Sequence, residues 1–225
     1  MDIYDFISKY KNHPILFIGS GFSMRYAKMA YNWDGLLEKV ATEISSNTEY
    51  FLDLKADYMN KNDVMYEKVA SKLENDFNEM LKNDRNGKLK SINDIFYEQM
   101  RKGKNISRFK IYISKLLQNA SIKESVKEEI SELKKARKNV SSIITTNYDQ
   151  IVEQLFSFNP LIGNDILLSN PYGSVYKIHG CVTCPESIII TNEDYEGFES
   201  KYELIRAQLL SLFVHNPIIF LGYRI

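Results

Sequence analysis

The chain has 225 residues, 44% hydrophobic and 26% charged, with 29 Lys+Arg balanced by 29 Asp+Glu. A formal charge of zero argues against a dedicated nucleic-acid binder, no apolar run reaches the roughly 20 residues of a membrane span, and two cysteines cannot build a disulfide framework. The expectation is a cytoplasmic chain of one large domain or two small ones, with no membrane or direct nucleic-acid contact and little charge repulsion to oppose self-association. The opening segment MDIYDFISKY mixes acidic, aromatic and basic residues and does not read as a signal peptide.

In chain order, residues 14–18 (PILFI) read as a short buried strand that stops at Gly19-Ser20-Gly21. Trp33, Leu36, Leu37, Val40, Ala41 and Ile44 then recur at helical spacing, with Asn32 or Asp34 as the cap. Residues 50–135 read as almost wholly helical. Their stripes begin at Tyr66, Ile92 and Phe109, with breaks at residues 83–87 and 103–105. From residue 140 the pattern alternates again. Strands are expected at Val140–Thr146, Val175–Ile178, Ile188–Thr191 and Ile218–Leu221, with helices around Ile151–Leu155 and Tyr202–Phe213. Strands separated by helices define an α/β fold, a Rossmann-like parallel sheet flanked by helices. Residues of about 13–45 and 139–225 would form its core and about 46–138 a helical insertion, all in a single domain.

A parallel sheet binds ligands at the carboxyl ends of its strands, and the polar turns of this chain fall there. Gly19-Ser20-Gly21-Phe22-Ser23 is either a phosphate-approach turn opening a helix or a tight turn needing positive φ. Met24 replaces the third glycine of a dehydrogenase fingerprint, and no P-loop is present. Thr146-Asn147-Tyr148-Asp149 offers side chains for ribose hydroxyls or a carboxamide, or an Asx cap for the next helix. His179, followed by Gly180, stands where a general base would stand, or is structural. Cys181-x-x-Cys184 supplies half of a zinc site at most, so zinc, redox chemistry and an inert loop are all open readings.

Taken together, these turns resemble the sirtuin (SIR2) superfamily. The matching segments are Phe17 to Ser23, Ile144 to Asp149, Lys177 to Gly180, and Ile219 to Tyr223, in the family's order. Thr145-Thr146-Asn147-Tyr148-Asp149, the Trp33-containing helix and the run Ile188 to Tyr195 resemble the SIR2-like domains of bacterial anti-phage defence proteins. The resemblance implies an NAD+ glycohydrolase, with NAD+ as substrate, acting by NAD+ depletion in abortive infection. A protein deacylase or ADP-ribosyltransferase, or a catalytically silent nucleotide-binding or assembly module, are the alternatives.

By the same resemblance, Asn147 and His179 are the catalytic residues. Gly19, Ser20, Gly21, Phe22 and Ser23 would hold the pyrophosphate and cover the nicotinamide half, Thr146 would be cofactor-binding, and Asp149 would fix the Asn147 loop or bind the carboxamide. Gly222 and Tyr223 would line the adenosine side, where Arg224 replaces a small residue. The deacylase segment after the first turn is replaced by Met24-Arg25-Tyr26-Ala27 and the four-cysteine zinc module is missing, so no zinc is expected. The resemblance further implies a homo-oligomer, and a longer parent protein in which a C-terminal sensor such as a STAND ATPase, or a partner protein, controls the domain.

Overall fold

The computed structural model describes residues 13–168 and 172–223, with residues 199–201 described by backbone alone. The opening segment and Arg224 lie outside the described residues. In chain order the strands are β1 (Ile15–Ile18), β2 (Ala27–Lys28), β3 (Met59–Asn60), β4 (Asp63–Val64), β5 (Ser121–Ile122), β6 (Ile143–Thr145), β7 (Asn159–Ile162), β8 (Ser174–Lys177) and β9 (Ile218–Leu221). The helices are α1 (Ser20–Tyr26), α2 (Trp33–Ile44), α3 (Tyr50–Asp57), α4 (Tyr66–Asn83), α5 (Lys90–Arg101), α6 (Arg108–Gln118), α7 (Lys127–Lys135), α8 (Ile151–Phe156), α9 (Asn192–Lys201) and α10 (Glu203–His215).

Five strands form one parallel sheet in the order β7-β8-β6-β1-β9. Both faces of a parallel sheet are covered, which is why its strands read as near-continuous apolar runs. Successive side chains still point to opposite faces. Leu16, Ile18, Ile143 and Val175 pack on one face with Phe22, Tyr26, Val152 and Phe156. Ile15, Phe17, Ile144 and Tyr176 pack on the other with Ile205 and Leu212 of α10. Helices therefore clothe both faces of the sheet, as the α/β reading expects.

The register aligns the strand ends. Ile18 is level with Thr145 on one side and Leu221 on the other, and Thr145 is level with Lys177. The residues that follow, Gly19, Thr146, Ile178 and Gly222, consequently leave the sheet along one edge. The chain passes from β1 to β6, skips one place to β7 at the edge, returns to fill in β8, and then crosses to the far side of β1 for β9. That reversal is where the loops of an open α/β sheet part to make a crevice.

The third apolar cluster lies in the helical block. It joins Leu37 and Val40 of α2 to Val69, Leu73 and Phe77 of α4, to Phe109 and Ile113 of α6, and to Cys181, Val182, Ile188 and Ile190. By contact, then, α2 belongs with the helical block, and that block packs on the segment that follows His179. Asn32 caps α2 by accepting from the Gly35 N–H at 2.9 Å, and Trp33 stacks on Tyr66 at 5.8 Å.

One expectation needs correction. Ile188–Thr191 is not a strand. Its backbone is satisfied elsewhere: the Ile189 N–H donates to the His179 carbonyl at 3.0 Å, and the Ile190 and Thr191 N–H groups donate to Asp194 Oδ2. The run is apolar because it is buried in the helical cluster, and burial without a neighbouring strand does not make a ladder. The fifth strand is instead β7, which contains Pro160 and whose Asn159 and Pro160 are exposed. Proline lacks the ladder N–H and is tolerated at a sheet edge, the position β7 occupies.

Candidate functional site

A cleft of about 340 Å³ opens at the carboxyl edge of the sheet, within the range of small-molecule sites. Ser20, Thr146, Asn147, Asp149, His179, Gly222 and Tyr223 line it, so residues far apart in sequence converge there. Gly19, Gly21, Phe22 and Ser23 are not among its walls. Ser23 is buried behind Asn147, and Phe22 packs into the core against Tyr26 at 4.8 Å. Tyr31, Asn32, Trp33 and Leu36 at the start of α2, Leu117 of α6, Tyr148 and Tyr195 complete the wall. Sequence reasoning assigned none of these a site role, although Trp33, Tyr148 and Tyr195 all stand inside segments that carry the SIR2 resemblance.

The glycine turn has a steric explanation. Gly222 sits at φ +62, and a Cβ there would lie 2.2 Å from the Phe22 nitrogen. Conversely, a Cβ on Gly19 or Gly21 would lie 2.7 or 2.9 Å from the Gly222 oxygen. Gly19 and Gly21 are not among the positive-φ residues, so the tight-turn reading does not apply; the two loops need glycine to approach each other. Their N–H groups are also committed. Gly19 donates to Leu221 O at 3.0 Å and Gly21 to Gly222 O at 2.9 Å, which locks the first turn to the last.

Asn147 is buried, and its Nδ2 donates to Gly19 O and Ser23 Oγ, each at 3.0 Å. Gly19 O can only accept, so the orientation of the amide is fixed. With both amide protons committed to the glycine turn, Oδ1 is what the side chain has to offer a ligand. Thr145 braces the same loop, donating to Ile18 O at 2.8 Å and accepting from the Asn147 N–H at 3.1 Å. Asp149 Oδ1 accepts from the Ile151 N–H at 3.0 Å in an Asx turn that leads into α8, whose N-cap is Gln150, and Asp149 is also a wall of the cleft. The cleft wall holds this one carboxylate and no Lys or Arg among the described residues.

His179 is the second residue after β8. Its ring meets Tyr195 edge-on at 5.4 Å and Phe198 at 6.3 Å, with the Tyr195 hydroxyl 3.5 Å from Nδ1. Burial pushes its pKa down to about 4, so the ring is neutral at pH 7 and able to accept a proton. Burial also raises the Tyr148 and Tyr195 phenols, which stay protonated. Tyr148 donates to Ile189 O at 2.7 Å, and Tyr195 is carried by α9, whose first turn is held by a capping box between Thr191 and Asp194. Asp194 also pairs with Lys110 of α6 at 2.6 Å, so the helical block steadies the element behind His179.

Cys181 is buried in the helical cluster and Cys184 partly exposed, with the Cys184 N–H donating to Cys181 O at 3.0 Å in a tight turn. No group of three or more metal-ligating side chains occurs among the described residues, and none of their helices is long and apolar enough to cross a membrane.

A parallel α/β sheet takes its ligands at the strand ends, and the cleft found there is walled by an Asn, a carboxylate and a neutral His. Residues 141–225 match the family model of the SIR2-like domain, which supports the SIR2 resemblance of the strand-end turns. The span takes in Asn147, Asp149, His179, Gly222 and Tyr223; β1, the glycine turn and the helical block lie outside it. A comparison with curated proteins finds no match. SIR2-like domains bind NAD+, and the family is consistent with an NAD-utilising enzyme.

Proposed function

We propose that the chain hydrolyses NAD+ to ADP-ribose and nicotinamide. The observation that carries this reading is the convergence of Asn147, Asp149 and neutral His179 on one cleft whose rim is the locked pair of turns at Ser20 and Gly222. The reaction breaks the bond between the nicotinamide nitrogen and the ribose C1′. Nicotinamide leaves as a neutral molecule with the bonding electrons, and positive charge develops on the ribose. Water adds at C1′ and gives up one proton. Asn147 Oδ1 accepts a hydrogen bond from that water or from a ribose hydroxyl, and neutral His179 accepts the proton. The aromatic wall of Tyr31, Trp33, Tyr148 and Tyr195 excludes bulk water and offers flat faces to a ring. Preorganisation of this kind lowers the barrier mainly through placement and fixed dipoles.

Water as acceptor distinguishes this reading from deacylation. Incubation with NAD+ alone should release nicotinamide and ADP-ribose in equal amounts, and an acetyl-lysine peptide should not raise the rate. Turnover that appears only with the peptide would refute hydrolysis. The reading extends to an anti-phage effector that depletes NAD+, which rests on the resemblance of Thr145 to Asp149 and of the Trp33 helix to that branch. It also includes self-association, supported by the exposed apolar side chains Leu204, Leu210, Val214 and Phe220, and control by a sensor domain or partner. Measurement of cellular NAD+ during phage infection, in cells carrying the parent protein or its His179→Ala variant, tests the effector role.

A further inference from the structure

Lys177 is the last residue of β8 and is buried to 1% exposure in the sheet. An ammonium at such a position is costly unless it is paired and hydrogen-bonded. It has two partners. Its Nζ donates to the backbone carbonyl of Asp149, and it lies 3.1 Å from Glu153 Oε1 on α8. The second contact is an ion pair without hydrogen-bond alignment. Both Glu153 oxygens are buried and lack a hydrogen-bond donor among the described residues. Glu153 therefore balances the charge, while the directed bond goes to the Asp149 carbonyl.

That bond joins the two halves of the site. Through its backbone Lys177 leads, two residues on, to His179, and its carbonyl accepts from the Gly180 N–H at 3.0 Å. Through its ammonium it grips the loop that carries Asn147 and Asp149. The sheet register fixes Thr145 beside Lys177, and the Tyr148 carbonyl accepts from the Val182 N–H at 3.0 Å; the Lys177 bond adds the tie at Asp149 itself. We propose that Lys177 is a positioning residue, with Glu153 as its counter-ion, that sets the Asn147–Asp149 loop at a fixed distance from His179. Its kinetic consequence rests on the hydrolase reading; its structural consequence does not.

The test separates positioning from mere stability. Lys177→Met alone strands the Glu153 carboxylate and should lower Tm sharply. The double variant Lys177→Met/Glu153→Met removes both charges at similar volume, an exchange that buried ion pairs commonly tolerate, and should recover a Tm close to that of the parent chain. The tie to Asp149 stays lost in the double variant. Its amides from Asn147 to Gln150 should exchange with solvent at least about tenfold faster, and kcat for NAD+ should fall by about tenfold or more with KM changing far less, the pattern of lost placement. Parent-like exchange in a folded double variant would overturn the proposal, whatever the activity. Absence of NAD+ turnover in the parent chain would instead sink the hydrolase reading and leave the exchange result to decide this one. Should the double variant not fold, a lysine-selective proton–nitrogen spectrum of the parent chain decides. A slowly exchanging Lys177 ammonium is expected, and a freely exchanging one would overturn the proposal.

Discussion

Gly180→Ala is the substitution whose effect the structure fixes most closely. Gly180 sits at φ +88, and a Cβ there would meet the Ser187 carbonyl oxygen at 2.2 Å. The left-handed backbone costs a residue with a Cβ about 1–2 kcal/mol. Relief of the contact demands a retreat of about 1 Å between two backbones, since ordinary contact begins near 3.4 Å. The segment that must move is tied by three bonds: Ser187 N–H to Cys184 O at 2.9 Å, Cys181 N–H to Ser187 Oγ at 3.0 Å, and Ile189 N–H to His179 O at 3.0 Å. Weakening two of them adds about 1–3 kcal/mol, for a total of about 2–5 kcal/mol. In a chain of this size each kcal/mol lowers Tm by about 2–4 °C, so a fall of about 4–20 °C is expected by calorimetry. His179 precedes the strained residue, so NAD+ turnover measured well below Tm should also drop. A variant with unchanged Tm and unchanged turnover would refute the argument that the His179 turn is fixed by close backbone approach.

Four further outcomes follow from the same geometry. Asn147→Asp replaces the Nδ2 donor with an acceptor facing Gly19 O, so turnover should fall at least about a hundredfold, as a misplaced group costs, while circular dichroism still reports a folded chain. His179 should give the pH–rate profile an acid limb near 4 rather than near 6.5; an acid limb at 6.5 would contradict its burial. The folded state resists protonation of this ring, so stability from His179 is present above about 6.5 and is lost as pH falls toward 4. The pH dependence of Tm in that window should therefore be steeper in the parent chain than in His179→Gln. Thr191→Ala breaks the capping box of α9 and should cost about 1 kcal/mol, read as a Tm lower by about 2–4 °C.

Most of the sheet was legible because parallel strands buried on both faces leave a signal in short apolar runs, as Ile15–Ile18 and Ile218–Leu221 do. The same signal misled at Ile188–Ile190, where the run reports burial in a helical cluster and the backbone bonds go to His179 and Asp194. It was silent at β7, whose Pro160 and exposed residues look like loop. The polar half of the site was legible because each residue follows a strand end and the parallel register brings those ends level. The aromatic half was not. Tyr31, Trp33 and Leu117 reach the cleft through the packing of the helical block, and helical periodicity gives the face a residue occupies without telling what that face meets. The positive-φ reading of Gly19 and Gly21 failed because the close approach of Gly222 requires glycine there, a contact between residues about 200 apart that spacing alone cannot show.

The central claim is that the strand-end cleft is the NAD+ site and that Asn147 and His179 act in it. The most direct measurement is chromatographic quantitation of nicotinamide and ADP-ribose released from NAD+ by the parent chain, by Asn147→Ala and by His179→Ala, each checked for a native circular dichroism spectrum. The account predicts release by the parent chain and its loss in both folded variants. Undiminished release in both would contradict it.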